Sequence, residues 1–170
     1  MNLPEKFEIQ IITLSDRAYR GEYEDLSGPK IREKLVEFLS SVGWDYNISL
    51  TLIPDEADIL HDLLIKSGEE CNMIFTTGGT GIGPRDITIE TVQPLIKKEI
   101  SGVMEYIRIR YGAEKPNALL SRGIAGIIGK SLIYTLPGSV RAVDEYMTEI
   151  SKTLMHTVYM QFGIDKHFND

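Results

Sequence analysis

The segment Asn72–Thr88, with the sequence NMIFTTGGTGIGPRDIT, joins a short apolar run to a loop that contains four glycines. Asn72–Thr77 predicts a buried parallel strand, because both faces of such a strand are covered and its sequence is largely apolar. The glycines allow backbone N–H groups to approach a phosphate closely, and Arg85 adds a cation with a planar fork of donors. A flexible turn between strand and helix is the alternative, and spacing alone gives the two interpretations about equal weight.

The glycine loop differs from the two common phosphate-binding patterns. No Gly-Lys-Ser/Thr sequence follows the first glycines, which excludes a Walker A loop. Pro84 stands where the dinucleotide-binding fingerprint has its third glycine, which excludes that fingerprint as well. The loop is therefore interpreted from its residues and not from a known short motif.

Strand-like and helix-like segments alternate on both sides of this loop. Such alternation predicts an α/β fold, with a three-layer arrangement of a mostly parallel sheet between helices on both faces. No linker, repeat or low-complexity segment interrupts the chain, so we expect a single domain over residues 1–170. The expected strands are Glu8–Leu14, Asn47–Ile53, Asn72–Thr77, Gly123–Ile128 and Leu132–Leu136, and the expected helices begin near Pro29, Asp55, Thr88, Val103 and Val140.

The ends of the predicted strands identify the loops of greatest interest. Ligands of open α/β sheets bind beyond the carboxyl ends of the strands. Four segments follow such ends: Ser15–Ser27, Pro54–Glu56, Gly78–Asp86 and Pro137–Ser139. We expect these segments to lie at one edge of the sheet.

Two aspartates in these loops form the main candidate for metal binding. Taken alone, Asp55 is more simply explained as an N-cap, and Asp86 as an exposed loop acid. Taken together, two carboxylates beyond neighbouring strand ends can hold Mg²⁺ against a polyphosphate, because that ion takes oxygen ligands and keeps several waters.

The remaining polar candidates have simpler explanations of equal weight. Ser15 could bond an anion or its own turn. Ser121 and Arg122 could lie in a short helix with a solvated arginine, and Pro137–Ser139 could form a plain turn. Asp25, Ser27 and Gly28 precede a helix whose N-terminus could bind an anion or be capped by Ser27.

Composition excludes several classes of protein. The 170 residues include 18 Lys and Arg against 25 Asp and Glu, for a net charge of −7, which argues against a nucleic-acid partner. Cys71 is the single cysteine, so the sequence has no disulfide framework and no cysteine-rich zinc site. No run of about 20 apolar residues is present, so we expect no membrane association and a cytoplasmic location.

Taken in order from Leu14 to Ser139, the segments resemble the molybdopterin adenylyltransferase family, the MogA/MoaB group that includes the G domain of gephyrin. The glycine run with Pro84-Arg85-Asp86 is the specific element, and Ser139 stands where many relatives carry Asn. The matching stretches are Leu14–Arg17, Asp25–Pro29, Ile53–Glu56, Thr76–Thr88, Ser121–Gly123 and Leu136–Ser139.

The resemblance implies an activity and a set of site residues. Family members transfer AMP from ATP to molybdopterin with release of pyrophosphate, and they require Mg²⁺. Asp55 and Asp86 match the two important acidic positions and are assigned to metal binding and catalysis. The residues implied to contact substrate are Ser15, Asp16, Gly78, Gly79, Thr80, Gly81, Arg85, Ser121, Pro137, Gly138 and Ser139.

The resemblance also implies partners. A homotrimer is expected, with the closing helix Val140–Phe162 or a neighbouring helix at the interface. Molybdate insertion is expected from a separate protein, because the sequence leaves no segment for it. Two alternatives stay open: a nucleotide pyrophosphatase that uses the same loop and acids, and a non-catalytic pterin-binding or scaffold protein.

Overall fold

A computed structural model describes residues 2–164 and shows one six-stranded sheet in the order β2-β1-β3-β6-β5-β4. Strands β1, β2, β3 and β6 are parallel neighbours, whereas β5 runs antiparallel to both β6 and β4. The predicted three-layer, mostly parallel α/β fold is confirmed. The strands are β1 (Phe7–Leu14), β2 (Tyr46–Ile53), β3 (Met73–Thr77), β4 (Lys98–Glu99), β5 (Ala125–Ile128) and β6 (Ser131–Leu136).

Six α-helices and two short 3-10 turns connect the strands within the described residues. The 3-10 turns cover Gln93–Leu95 and Pro116–Leu120. The helices are α1 (Asp16–Tyr19), α2 (Ser27–Val42), α3 (Ala57–Glu70), α4 (Thr88–Val92), α5 (Ser101–Gly112) and α6 (Val140–Gln161). Within residues 2–164 no helix combines the length and hydropathy needed to cross a membrane, and the cytoplasmic location stays a prediction.

The register of the parallel strands brings their carboxyl ends to one edge. Leu14 of β1 pairs with Ile53 of β2, and Thr13 pairs with Thr77 of β3. Thr77 in turn pairs with Leu136 of β6. The loops that follow β1, β2, β3 and β6 therefore start side by side, as the sequence predicts.

Each face of the sheet packs against its own apolar layer. Helices α2, α5 and α6 cover one face, where Leu35, Tyr134 and Ile150 are among the fully buried residues. Helices α3 and α4 cover the other face over a smaller cluster that includes Ile12 and Leu64. The apolar stripe of α6 thus lies inside the domain and not on its surface.

Several expected boundaries were wrong for local reasons. The loop expected over Ser15–Ser27 contains α1, which Ser15 caps by accepting a bond from the Ala18 N–H at 3.2 Å. The sequence predicts that the helix beginning near Asp55 ends at Gly68, but α3 continues past it to Glu70. A Cβ at Gly68 would meet an Ile128 methyl carbon at 3.0 Å. The glycine there permits close packing of the helix on the sheet and does not end the helix.

The segment after Thr88 also differs from expectation. We expect helical structure to about Ile100, kinked or split near Pro94. The split is confirmed, because α4 ends at Val92 and Pro94 lies in a 3-10 turn, but Lys98–Glu99 pairs with β5 and is not helical. Thr88 is the first residue of α4 and not its cap. The predicted single domain 1–170 extends beyond the described residues at both ends and stays a prediction.

Replacing Leu35 by Ala should destabilise the domain by about 2–5 kcal/mol, because its side chain is fully buried on the larger face of the sheet. Urea unfolding monitored by circular dichroism measures the change. The control is Leu50→Ala on edge strand β2, where the side chain is 41% exposed and the loss should stay within about 0.5 kcal/mol. Equal losses in the two variants would contradict this description of the core.

Candidate active site

The glycine loop starts in a narrow gap between β1 and β6. The Gly78 N–H donates to the Leu136 carbonyl at 3.0 Å, and φ of Gly78 is 97°. A Cβ at Gly78 would lie 2.2 Å from the Leu14 carbonyl oxygen, so only glycine fits. The buried Thr88 hydroxyl donates to the Gly78 carbonyl at 2.8 Å and ties the end of the loop to its start.

The backbone N–H groups of residues 79–82 form a run of four successive donors in this loop. Within the described residues, none of these four groups donates to a protein acceptor, although the carbonyls of Gly79 and Thr80 accept bonds from Thr88 and Arg122. Successive unpaired N–H groups form a concave anion site of the kind that binds phosphate. The structure therefore favours the phosphate-binding interpretation over a flexible turn.

Asp16 and Asp55 join the loops after β1 and β2 by a reciprocal pair of hydrogen bonds. The Asp16 N–H donates to Asp55 Oδ2 at 2.9 Å, and the Asp55 N–H donates to Asp16 Oδ1 at 3.1 Å. Asp55 is not the N-cap of α3. That position belongs to Glu56, whose side chain makes no capping bond.

Arg85 binds carboxylates on both of these loops. Its Nε and Nη2 donate to the two Asp16 carboxylate oxygens at 2.9 and 3.0 Å, and Nη2 also donates to Glu56 Oε1 at 3.0 Å. These bonds hold the pKa of Asp16 below its ordinary value. Partial burial raises the pKa of Asp55, and the nearby charges of Asp16 and Asp86 act in the same direction.

Asp86 lies inside the glycine loop, and one of its carboxylate oxygens accepts a hydrogen bond from the loop backbone. Its Oδ2 accepts the Gly83 N–H at 2.7 Å. The Oδ1 atoms of both Asp55 and Asp86 accept no hydrogen bond from the described residues. The described residues contain no group of three or more possible metal ligands, so a cation here would take these two carboxylates and complete its shell from water and substrate.

A second arginine supports the other side of the glycine loop. Arg122 donates to the Gly81 carbonyl at 2.7 Å and forms an ion pair with Glu90. Ser121 lies beside it, with its Oγ 3.3 Å from the Thr80 hydroxyl. The expected solvated arginine is therefore a structural support of the loop.

A cavity of about 270 Å³ adjoins the glycine loop at the start of α6. Ser139 caps α6 by accepting the Ala142 N–H at 3.2 Å, and the Pro137 carbonyl accepts the Thr77 hydroxyl at 2.8 Å. A Cβ at Gly138 would lie 3.3 Å from Gly78 Cα, so the two loops touch. The cavity is lined by Ser15, Tyr23, Asp25, Leu26, Gly138 and Ser139, among others.

The structure adds residues that sequence reasoning missed. Glu56 binds Arg85, and its only signal in the sequence is its position next to Asp55. Tyr23 bonds Ser15 at 2.7 Å and lines the cavity, and no local pattern singles it out. Asp25, already a candidate from the sequence, accepts the Ser27 N–H at 3.0 Å and the Thr13 hydroxyl at 2.7 Å. Ser27 is the first residue of α2 and not its cap, and Leu26 occupies the N-cap position.

The predicted site residues therefore gather at the carboxyl edge of the sheet, around the glycine loop, two carboxylate oxygens that accept no hydrogen bond from the described residues, and a cavity. This arrangement defines a class of α/β proteins that bind phosphorylated ligands at strand ends. Residues 10–156 match the family model described as a probable molybdopterin binding domain. The chain belongs to this family.

Individual relatives agree with the family. The chain is 38% identical over 158 residues to the molybdopterin adenylyltransferase of Helicobacter pylori, covering 91% of this chain and 88% of that protein. It is also 38% identical to the molybdenum cofactor synthesis protein cinnamon of Drosophila melanogaster, of which it spans 26%. The solved structure of the molybdopterin biosynthesis enzyme MoaB from Thermus thermophilus is 34% identical, with a TM-score of 0.81 over 92% of this chain and 97% of that one.

A more distant likeness concerns the fold alone. The CinA protein of Thermoplasma acidophilum superposes on 86% of this chain with a TM-score of 0.62 at 15% identity. At that identity the shared architecture carries no statement about activity.

Replacing Gly79 by Ala should reduce stability by about 1–3 kcal/mol, because φ is 64° and the new Cβ would lie 2.5 Å from the Thr88 hydroxyl. Urea unfolding measures the loss. Gly102→Ala is the matched control, since nothing lies within 4 Å of a Cβ built there. A flexible turn would tolerate both substitutions equally, so equal stabilities would contradict the ordered loop.

Proposed function

We propose that this protein transfers AMP from ATP to molybdopterin and releases pyrophosphate, as a step of molybdenum cofactor biosynthesis. One observation carries the proposal: the unpaired N–H groups of residues 79–82 lie in the same loop as Asp86, and Asp55, just beyond β2 at the same edge of the sheet, has a pKa that burial raises and that the nearby charge of Asp86 raises further. A site for phosphate and a site for a cation thus adjoin. The relatives named molybdopterin adenylyltransferase, at 38% identity over most of the chain, support the choice of substrates.

The charge balance of the site supports Mg²⁺ as the cofactor. Arg85 and Arg122 are both paired with carboxylates, so neither offers an uncompensated positive charge to a triphosphate. Asp55 and Asp86 add negative charge, and each keeps one oxygen free to bind a cation. Mg²⁺ bound there would neutralise part of the charge on the phosphates and stabilise charge that develops in the transition state.

The reaction joins two anionic groups and needs no proton acceptor. A terminal phosphate oxygen of molybdopterin attacks the α-phosphorus of ATP, a new P–O bond forms, and the bond to the β-phosphate breaks with loss of pyrophosphate. The attacking phosphate is already ionised, so the protein contributes mainly alignment and charge stabilisation. The N–H groups of residues 79–82 would bind phosphate oxygens, and Asp55 and Asp86 would hold the cation that aligns them.

The remaining predicted contacts divide between two neighbouring regions. Ser15, Gly138 and Ser139 line the cavity at the start of α6, and Pro137 leads into it. Thr80 and Ser121 lie together on the other side of the glycine loop. We assign these regions to the heterocyclic parts of the two substrates, whose phosphates would meet at the glycine loop. Asp16 follows Ser15 along the chain and is bonded to Asp55.

Incubation with molybdopterin, ATP and Mg²⁺, followed by mass detection of the product, tests the proposal. Adenylylated molybdopterin and one equivalent of pyrophosphate are expected, and no pyrophosphate without molybdopterin. Pyrophosphate release without molybdopterin would instead identify a nucleotide pyrophosphatase. Binding of molybdopterin without turnover would identify a pterin-binding or scaffold protein.

Asp55→Asn and Asp86→Asn should each fold normally and lose activity by orders of magnitude, since charge stabilisation by a metal is worth roughly several kcal/mol and each ~1.4 kcal/mol is tenfold in rate. Each Asn keeps a carbonyl oxygen for the bond from Asp16 or Gly83 but loses the negative charge. Steady-state rates at saturating ATP and Mg²⁺, with melting temperatures, provide the measurement. A fully active variant would remove that residue from the metal site.

The assembly partners follow from the same proposal. A molybdate-inserting protein would take the product, in line with relatives of which this chain spans only part, such as the bifunctional cofactor biosynthesis protein of Chlorobaculum tepidum. We also propose a homotrimer. Its interface cannot use the apolar stripe of α6, which is buried within the domain. Exposed apolar side chains instead lie on α5 and the adjacent 3-10 turn: Tyr106, Ile109, Leu119 and Leu120.

Light scattering at micromolar concentration should give roughly three times the chain mass of 19.1 kDa. Ile109→Lys should shift the protein to a monomer without unfolding it, because a charge placed on an apolar interface is not compensated. Ile65→Lys on α3, where the side chain is 45% exposed, is the control and should leave the mass unchanged. A monomeric wild-type protein would remove the proposal of a trimer.

A further inference from the structure

We infer that Arg85 is a positioning residue that sets the separation of the Asp55 and Asp86 carboxylates by clamping the glycine loop onto the loops after β1 and β2. The inference rests on the proposed function, because those carboxylates are its metal-binding pair. It also assigns to Arg85 a role other than the phosphate contact expected from sequence.

The first step is the path from Asp86 to Asp55. Arg85 directly precedes Asp86 in the glycine loop, and its guanidinium donates hydrogen bonds to both carboxylate oxygens of Asp16. Asp16 exchanges two hydrogen bonds with Asp55, one in each direction. The two metal-binding residues are therefore linked through one ion pair and one reciprocal bridge, with no other residue between them.

The second step is the geometry of the guanidinium. Three of the five N–H donors of an arginine are used here, two on Asp16 and one on Glu56. A planar fork bonded to two oxygens of one carboxylate fixes orientation as well as distance, which a lysine ammonium cannot reproduce. To contact a phosphate with these donors, Arg85 would have to leave Asp16 and free the glycine loop from its neighbour.

The third step is the charge around the clamp. The glycine loop and the loops after β1 and β2 together carry four carboxylates: Asp16, Asp55, Glu56 and Asp86. Arg85 forms ion pairs with two of them, Asp16 and Glu56. Without it, repulsion would drive the loop that carries Asp86 away from the loop that carries Asp55. A bound cation would then meet two carboxylates at the wrong separation.

The fourth step separates positioning from stability. The Arg85 side chain is 55% exposed, as is that of Glu56, and ion pairs in such surroundings add little to the stability of a fold. A small displacement of catalytic groups, in contrast, can reduce a rate by about 100-fold. Loss of Arg85 should therefore change the rate far more than the melting temperature.

The test compares Arg85→Gln, Arg85→Lys and Glu56→Gln with wild type, and Arg20→Gln is the matched control. Arg20 pairs with Glu22 on the neighbouring loop and touches neither Asp16 nor Asp55 with its side chain. For Arg85→Gln we expect kcat to fall about 10- to 100-fold while KM for ATP and for molybdopterin changes less than about threefold. Arg85→Lys should recover only part of kcat, and the Glu56→Gln/Arg85→Gln pair should be no worse than Arg85→Gln alone.

A second measurement needs no substrate. Hydrogen exchange of the Asp16 and Asp55 amides, which donate to each other's carboxylates, should accelerate at least about tenfold in Arg85→Gln and stay unchanged in Arg20→Gln. Unchanged exchange in Arg85→Gln would overturn the inference. So would a rise of about tenfold or more in KM with kcat retained, which would identify Arg85 as a substrate contact. If wild type makes no product, the proposed function fails, and the exchange measurement alone decides whether the clamp exists.

Discussion

The chain that follows β3 passes at Gly78 through a gap that is too narrow for a side chain. The Leu14 carbonyl lies on one side, 2.2 Å from where a Cβ would stand, and Gly138 lies against the other side. Because the loop starts in this gap, the free N–H groups of residues 79–82 come out at the strand ends, beside the β1 and β6 loops. The Thr88 hydroxyl then bonds the Gly78 carbonyl, so the end of the glycine loop is tied to its start, directly after β3.

Electrostatics set the second constraint on the site. The protein carries a net charge of −7, and its candidate site brings several carboxylates together while pairing its two arginines internally. Under the proposed function, a site built this way would repel a bare polyphosphate and would bind one that is complexed with a metal ion. Anion affinity would then come from backbone N–H groups, which carry no net charge and would not neutralise the acids that are proposed to hold the cation.

The fold follows from sequence more completely than the site does. Alternation of apolar strands and amphipathic helices predicts the sheet, its parallel core and the edge where the loops meet, because period and burial are local properties. The ion pair between Arg85 and Asp16 joins residues that are 69 positions apart, and no local sequence pattern predicts it. The same holds for Asp55, which the sequence taken alone predicts as a helix cap but which accepts a bond from the backbone N–H of Asp16. Hydrogen-bond and ion-pair partners that are distant in sequence cannot be predicted until the register of the strands is known.

Stability and site geometry depend on different sets of contacts in this domain. The two apolar layers that hold the sheet together are formed by residues such as Leu35 and Leu64, which lie away from the strand-end loops. The contacts around the Asp16 and Asp55 carboxylates are ion pairs of the half-exposed Arg85 and two backbone bonds between short loops, and exposed ion pairs add little to the free energy of unfolding. Rigid parallel strands bring the starts of the loops together. A few polar bonds between the loops then suffice to align their side chains. Substitutions in those loops can therefore change the chemistry of the site while leaving the fold intact.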